Sequence, residues 1–240
     1  MKTRSTTVIR ILNAAREQFN AKGYAATSLT EIAASLGMSQ GNLTYHFPTK
    51  RHLAMQLEAD VLFLMKTRRE SLMPRSLAQD YVGHLLFGME LTWSNRFLMR
   101  DHLQYASNPI GQRPDSELTA DFDELTGLLK RIQDKDLFDD GAEQDIDVLT
   151  RSLWIVSRYW IDYLRELEGL DEISWADQER GIQHHFAVLL PNLKPSTRSK
   201  FKAALNRASS HHVSVALKPH EANFRDKLSH AALGPLLPKN

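Results

Sequence analysis

The 240-residue chain contains no cysteine. Disulfides and thiolate chemistry are therefore excluded, and the composition fits a reducing cytoplasm, the expected location. It has no run of about 18 uninterrupted apolar residues, the length a membrane-spanning helix needs, so no membrane partner is expected. Met1 to Thr7 lead straight into an amphipathic segment without the apolar stretch of a secretion signal. No alternating apolar stretch is long enough for a strand. Also missing are a nucleophile with its base and orienting partner, and a glycine loop that could cradle phosphate. The pairs His184-His185 and His211-His212 are adjacent. Adjacent residues on a helix point about 100° apart, which is not metal-ligand spacing. The carboxylates from Asp134 to Asp147 lack the order and central glycine of a calcium loop. No enzyme, metal or cofactor is expected.

What is present is uneven. Residues 1–52 carry seven Lys/Arg against two Asp/Glu, residues 53–191 carry 14 against 25, and residues 192–240 carry nine against two. A basic head on an acidic body suits a protein that sets one end on phosphates and keeps the rest off them. The apolar fraction, 42%, is enough for a real core in one large or two modest domains.

The basic head contains the most informative stretch, Thr27 to Lys50. Ser28 stands three residues before Glu31, the spacing of a capping box at a helix start. Leu29, Ile32, Ala33 and Leu36 follow at helical spacing, and Gly37 is placed to end that helix. Ser39 then caps a second short helix whose single inward anchor is Leu43. Around that anchor lie Gln40, Gly41, Asn42, Thr44, Tyr45 and His46, a surface of amides, hydroxyls, phenol and imidazole. A helix nearly free of large apolar groups, braced by another, is what a helix-turn-helix places in the major groove. Val8, Ile11, Leu12, Ala15 and Phe19 make the apolar stripe of a preceding helix, and Lys2 and Arg4 ahead of it are candidates for phosphate or the minor groove.

The residues Leu36-Gly37-Met38-Ser39, Gly41-Asn42-Leu43 and Tyr45-His46-Phe47-Pro48-Thr49-Lys50 resemble the N-terminal domain of the tetracycline-repressor (TetR) family of bacterial regulators, from about Val8 to about Leu57. The resemblance implies that Ser39 to His46 is the recognition helix and that Tyr45 and Lys50 contact phosphates. Thr44 stands where the family usually has a second aromatic. With Thr27, Ser28 and Thr49, these residues complete the expected DNA-binding set.

The expected fold is all-α: a three-helix helix-turn-helix domain over residues 1–50, then a larger helical ligand-binding and dimerisation domain over 51–193. A basic, weakly ordered tail over 194–240 completes the chain, with one amphipathic helix possible from Ser196 to Ala208. A long helix from Lys50 to about Met73 leaves the first domain, and helices are expected near Leu77 to Arg96, Phe97 to Ala106, Ser116 to Gln133, Glu143 to Glu168 and Ser174 to Leu190. In this family the body holds a ligand cavity. Trp93, His102, Tyr105, Arg158 and Tyr159 are the candidate lining, with Phe63 and Met89 as apolar neighbours. Leu153, Val156, Trp160 and Leu164, with Ile182, Phe186 and Leu189 on the next helix, are the candidate homodimer interface.

The resemblance implies a regulator, most simply a repressor, that leaves a palindromic double-stranded operator when a small-molecule effector binds the body. The alternative is a helical ligand-binding or scaffold protein without specific DNA recognition.

Overall fold

The computed structural model describes residues 5–70, 76–105, 116–141 and 145–216, and among them every regular element is helical. The chain divides into two compact units, Met1–Thr67 with Thr92–Asp115, and Arg68–Leu91 with Ser116–Asn240. The first therefore reaches beyond residue 50, where the sequence reading ended a domain.

In the first unit, α1 (Thr6–Lys22) starts at Ser5, whose hydroxyl accepts from Val8 N, and buries Ile11, Leu12, Ala15 and Phe19. It stops at Gly23, whose φ of 94° suits a residue without Cβ. The helix α2 (Leu29–Ser35) opens with the full Ser28/Glu31 capping box, and α3 (Gln40–His46) opens at Ser39. The helix α4 (Lys50–Glu70) follows Thr49, whose hydroxyl accepts from His52 N. The core joins Ile11, Leu12, Ala15, Phe19, Ile32, Leu43, Phe47, Leu53 and Leu57 with Phe97 and Tyr105.

Those last two residues come from far along the chain. One helix was expected from Phe97 to Ala106. Two short ones form instead, α6 (Arg96–Arg100) and α7 (His102–Tyr105), broken at Asp101. The break has a long-range cause: the buried Asp101 carboxylate accepts from Tyr24 N at 2.8 Å. Arg100 donates to the Phe19 carbonyl, and the Asn20 amide bonds both Ser94 O and Phe97 N. The C-terminal end of α1 is thereby held by backbone groups as well as by rings.

The second unit contains most of α5 (Leu77–Ser94) together with α8 (Ser116–Asp134), α9 (Ile146–Glu166), α10 (Trp175–Leu189) and α11 (Pro195–Ala216). Where α9 and α10 pack, Gly181 leaves no room for a side chain. A Cβ there would lie 2.6 Å from Trp160 Cδ1 and 2.8 Å from Met89 Cε. The helix α11 outruns the expected Ser196 to Ala208 and buries Thr197, Phe201 and Ala204. His211 and His212 lie in its last turns, but their side chains are outside the described residues. Among the described residues no group of acidic, His or Cys side chains could hold a metal ion, and no helix is long and apolar enough to cross a membrane.

Candidate nucleic-acid interface

The helix α3 shows the expected division of labour. Leu43 is its single buried side chain, while Gln40, Gly41 and Asn42 are exposed and Tyr45 is 85% exposed. Thr44 and His46 are half-buried, and the Thr44 hydroxyl donates back to Gly41 O at 3.1 Å. The Thr30 hydroxyl of α2 donates to Gln40 Oε1 at 2.8 Å, so the first side chain of α3 is oriented by the bracing helix. This contact spans ten residues and could not be read from local spacing.

Other expected contacts are committed inside the chain. Thr27 is buried, with its hydroxyl donating to Gly23 O at 2.8 Å, because it closes the turn between α1 and α2. That corrects its expected place on the DNA side. Ser28 is exposed but occupied by the capping box, and Thr49 Oγ1 sits 2.7 Å from His52 Nδ1. The Lys50 ammonium donates to the carbonyls of Tyr24, Thr27 and Ala25 at 2.6, 2.8 and 3.2 Å. Burial lowers its pKa, opposed by the charge of Glu31. Lys2 and Arg4 lie outside the described residues.

Other cations of the basic head have internal partners too. Arg10 reaches Leu36 O, Lys22 pairs with Glu31 at 3.1 Å, and Arg51 donates to Tyr105 O. Arg16 donates to Asn13 Oδ1, and its pKa is lowered to about 10 by burial, opposed by Asp60 and Glu17.

The candidate ligand residues fall in both units. Phe63 is exposed, Trp93 is half-buried with Arg96 over its ring, and Tyr105 is buried in the first unit's core against Tyr24. Met89 is buried in the second unit. Arg158 is half-buried within electrostatic reach of Asp162, and Tyr159 is exposed beside Trp154. The side chain of His102 lies outside the described residues. Tyr105 packs as core because its ring is enclosed by those of Tyr24 and Phe97, and aromatic content alone does not distinguish a cavity wall from a filled interior.

Sequence reading missed the polar centre of the second unit. The buried Arg68 donates to Glu124 Oε1 at 2.9 Å and lies 4.8 Å from the Phe87 ring centroid, and His84 Nδ1 is 3.2 Å from the same carboxylate oxygen. Burial raises the Glu124 pKa, but His84 and Arg68 outweigh it and hold the group down at about 2. Phe122 and Trp154 meet edge to face on α8 and α9. Arg68 and Glu124 are 56 positions apart, beyond any sequence pattern.

Six of the seven expected dimer residues, Leu153, Trp160, Leu164, Ile182, Phe186 and Leu189, are buried within the chain itself, while Val156 is half-buried. The packing of α10 on α9 claims that face. On these two helices the large apolar side chains left exposed are Val148, Ile155, Tyr159 and Tyr163 on α9 and Val188 on α10, with Leu167 exposed just beyond the end of α9.

Comparison with known proteins agrees with this layout. The family described as bacterial regulatory proteins, tetR family, matches residues 11–57, and that described as bacterial transcriptional repressor matches residues 56–201. The HTH-type transcriptional regulator RutR of Escherichia coli K12 is 24% identical over 201 residues, covering 77% of this chain and 89% of that protein. A TetR-family regulator from Marinobacter aquaeolei VT8 has 22% identity and a TM-score of 0.67, covering 85% of this chain and 98% of its own. A gamma-butyrolactone receptor (ArpA-like protein) has 19% identity and a TM-score of 0.59, covering 84% and 96%.

Proposed function

The chain belongs to the TetR family of bacterial regulatory proteins, and on that premise we propose that it is a homodimeric repressor released from a palindromic operator by a small molecule. The observation that carries this reading is α3, a helix with one buried side chain and an exposed row of amides, phenol and glycine, seated against a capped bracing helix. Gln40 and Asn42 read base edges; Ser39, Thr44, Tyr45 and His46 face the backbone or sugar. Two copies related by a two-fold axis set their recognition helices about 34–36 Å apart, in successive major grooves.

The dimer forms through the exposed stripe of Val148, Ile155, Tyr159 and Tyr163, joined by Val188. Their spacing on α9 repeats along one side of a helix, the self-complementary surface an isologous interface requires.

The effector binds in the second unit near Arg68, His84 and Glu124, with the Phe87 ring against Arg68 as its apolar neighbour. A few polar groups among aromatic rings are how small molecules are oriented. The helix α4 contributes residues to both units. A ligand that prefers one placement of α4 shifts operator affinity by that preference and no more. The test is retention of a fragment flanking the protein's own gene, followed by release in an effector screen. Specific retention with ligand-dependent release supports the reading; retention unchanged by any ligand that binds the protein removes its regulatory half.

A further inference from the structure

A pocket of about 420 Å³ lies in the second unit, where the start of α5, the end of α8 and α11 meet. That volume falls within the roughly 300–1,000 Å³ of small-molecule sites. Its floor is apolar. Leu77 and Leu137 are half-buried, and Phe201 is buried with its ring centroid 5.5 Å from that of Tyr81. Arg68, His84 and Glu124 do not line it, so it is distinct from the polar centre of the same unit.

The rim is cationic. Lys135, Lys200 and Arg207 line the pocket with exposed side chains, and none of the three has an ion-pair or hydrogen-bond partner among the described residues. Lys200 and Arg207 stand seven positions apart on α11, which is two turns, so they share one face at a spacing of about 10 Å. No carboxylate lines the pocket. Asp136, between Lys135 and Leu137 in sequence, pairs with Lys194 at 2.7 Å, and Asp80 pairs with Arg131 at 3.0 Å. Asp134 is exposed and outside the lining. Thr197 adds a second signal: it lines the pocket, is only 3% exposed, and its hydroxyl bonds no described residue. A buried hydroxyl left unpaired is costly, and a ligand oxygen would satisfy it.

We propose that this pocket binds an amphipathic carboxylate. The apolar chain lies on Leu77, Leu137 and Phe201, and the acid group meets the cationic rim and the Thr197 hydroxyl. A neutral apolar molecule would leave the three cations unused, and a cationic one would be repelled by them. Residues 217–240 of the chain carry four Lys/Arg against two Asp/Glu, the wrong sign of charge for this rim. The site is independent of both the effector reading of the polar centre and DNA binding.

The experiment is calorimetry on the full-length protein with four probes: octanoate, octanol, octyltrimethylammonium and acetate. Octanoate should bind saturably with one-to-one stoichiometry, about tenfold or more tighter than octanol, and the ammonium and acetate should not bind. Lys200→Gln combined with Arg207→Gln should weaken octanoate about fivefold or more and leave octanol within about twofold. Ala203→Trp, at an exposed helical position that lines the pocket, should fill it and remove binding of both. Absence of saturable octanoate binding, equal binding of octanol, or octanoate binding that survives Ala203→Trp overturns the assignment. The four-probe comparison on the wild type decides the matter even if a variant does not fold. Failure of DNA retention would remove the regulator reading and leave this result untouched.

Discussion

His185 shows how one buried residue makes stability depend on pH. Tyr81 O–H donates to His185 Nε2 at 2.8 Å, His185 Nδ1 meets Ser157 Oγ at 2.8 Å, and Ser157 donates on to Leu153 O at 3.0 Å. The chain of donors runs one way only if the imidazole is neutral. Burial, reinforced by His84, pushes its pKa down to about 3. Unfolded, the ring titrates near 6.5, so between those values the unfolded state binds more protons. Stability is full above about pH 6.5 and falls, by up to about 1.4 kcal/mol per pH unit, as pH drops towards 3. Glu124, held at about 2 in the fold, gives stability that is present above its unfolded value near 4.5 and lost as pH falls through 2. Urea unfolding between pH 7 and 5 isolates the histidine. His185→Phe should lower stability overall but flatten its pH dependence there; parallel curves for variant and wild type would refute the assignment. Gly181→Ala tests packing at the same scale, and the contact with Trp160 and Met89 should cost about 1–3 kcal/mol in a urea titration.

Helix starts were legible because they depend on neighbours in sequence. The Ser28/Glu31 box and the Ser39 cap stand where spacing placed them. Ser174/Asp177 completes a second box, which the usual pattern misses because it carries aspartate instead of glutamate. Ser28→Ala and Ser174→Ala should each cost about 1 kcal/mol in thermal or urea unfolding, with the former also weakening DNA binding. A change in DNA binding from Ser174→Ala alone would contradict the separation of roles. Interruptions and faces were not legible, because distant residues impose them. Asp101 breaks a helix to reach Tyr24, 77 positions away. The apolar residues around α9 point in more than one direction, and only Gly181, which lets α10 sit against Trp160, decides that the stripe of Leu153, Trp160 and Leu164 is internal. The exposed stripe through Ile155 and Tyr159 is what remains for a partner. Tyr159→Glu combined with Ile155→Glu should yield a folded monomer by sedimentation and reduce operator affinity at least tenfold, since each half-site would then bind alone. A dimer that survives both charges would place the interface elsewhere.

Across the whole molecule, sequence carried the class, the charge asymmetry and the recognition helix, but not the state of the charges. Arg10, Lys22, Lys50 and Arg51 in the basic head all bond within the chain. On the proposed reading their field attracts DNA at a distance, while discrimination falls to the uncharged side chains of α3. Base specificity should therefore be lost through Gln40→Ala or Asn42→Ala with little change in salt slope, whereas a purely electrostatic binder would show no specificity to lose. The most direct measurement is retention of the DNA flanking the protein's own gene, at two salt concentrations and against excess random competitor of equal length. Retention that survives the competitor at both salts, and falls to the random level with Gln40→Ala, is the predicted result. Equal binding of both DNAs, lost steeply as salt rises, would contradict it.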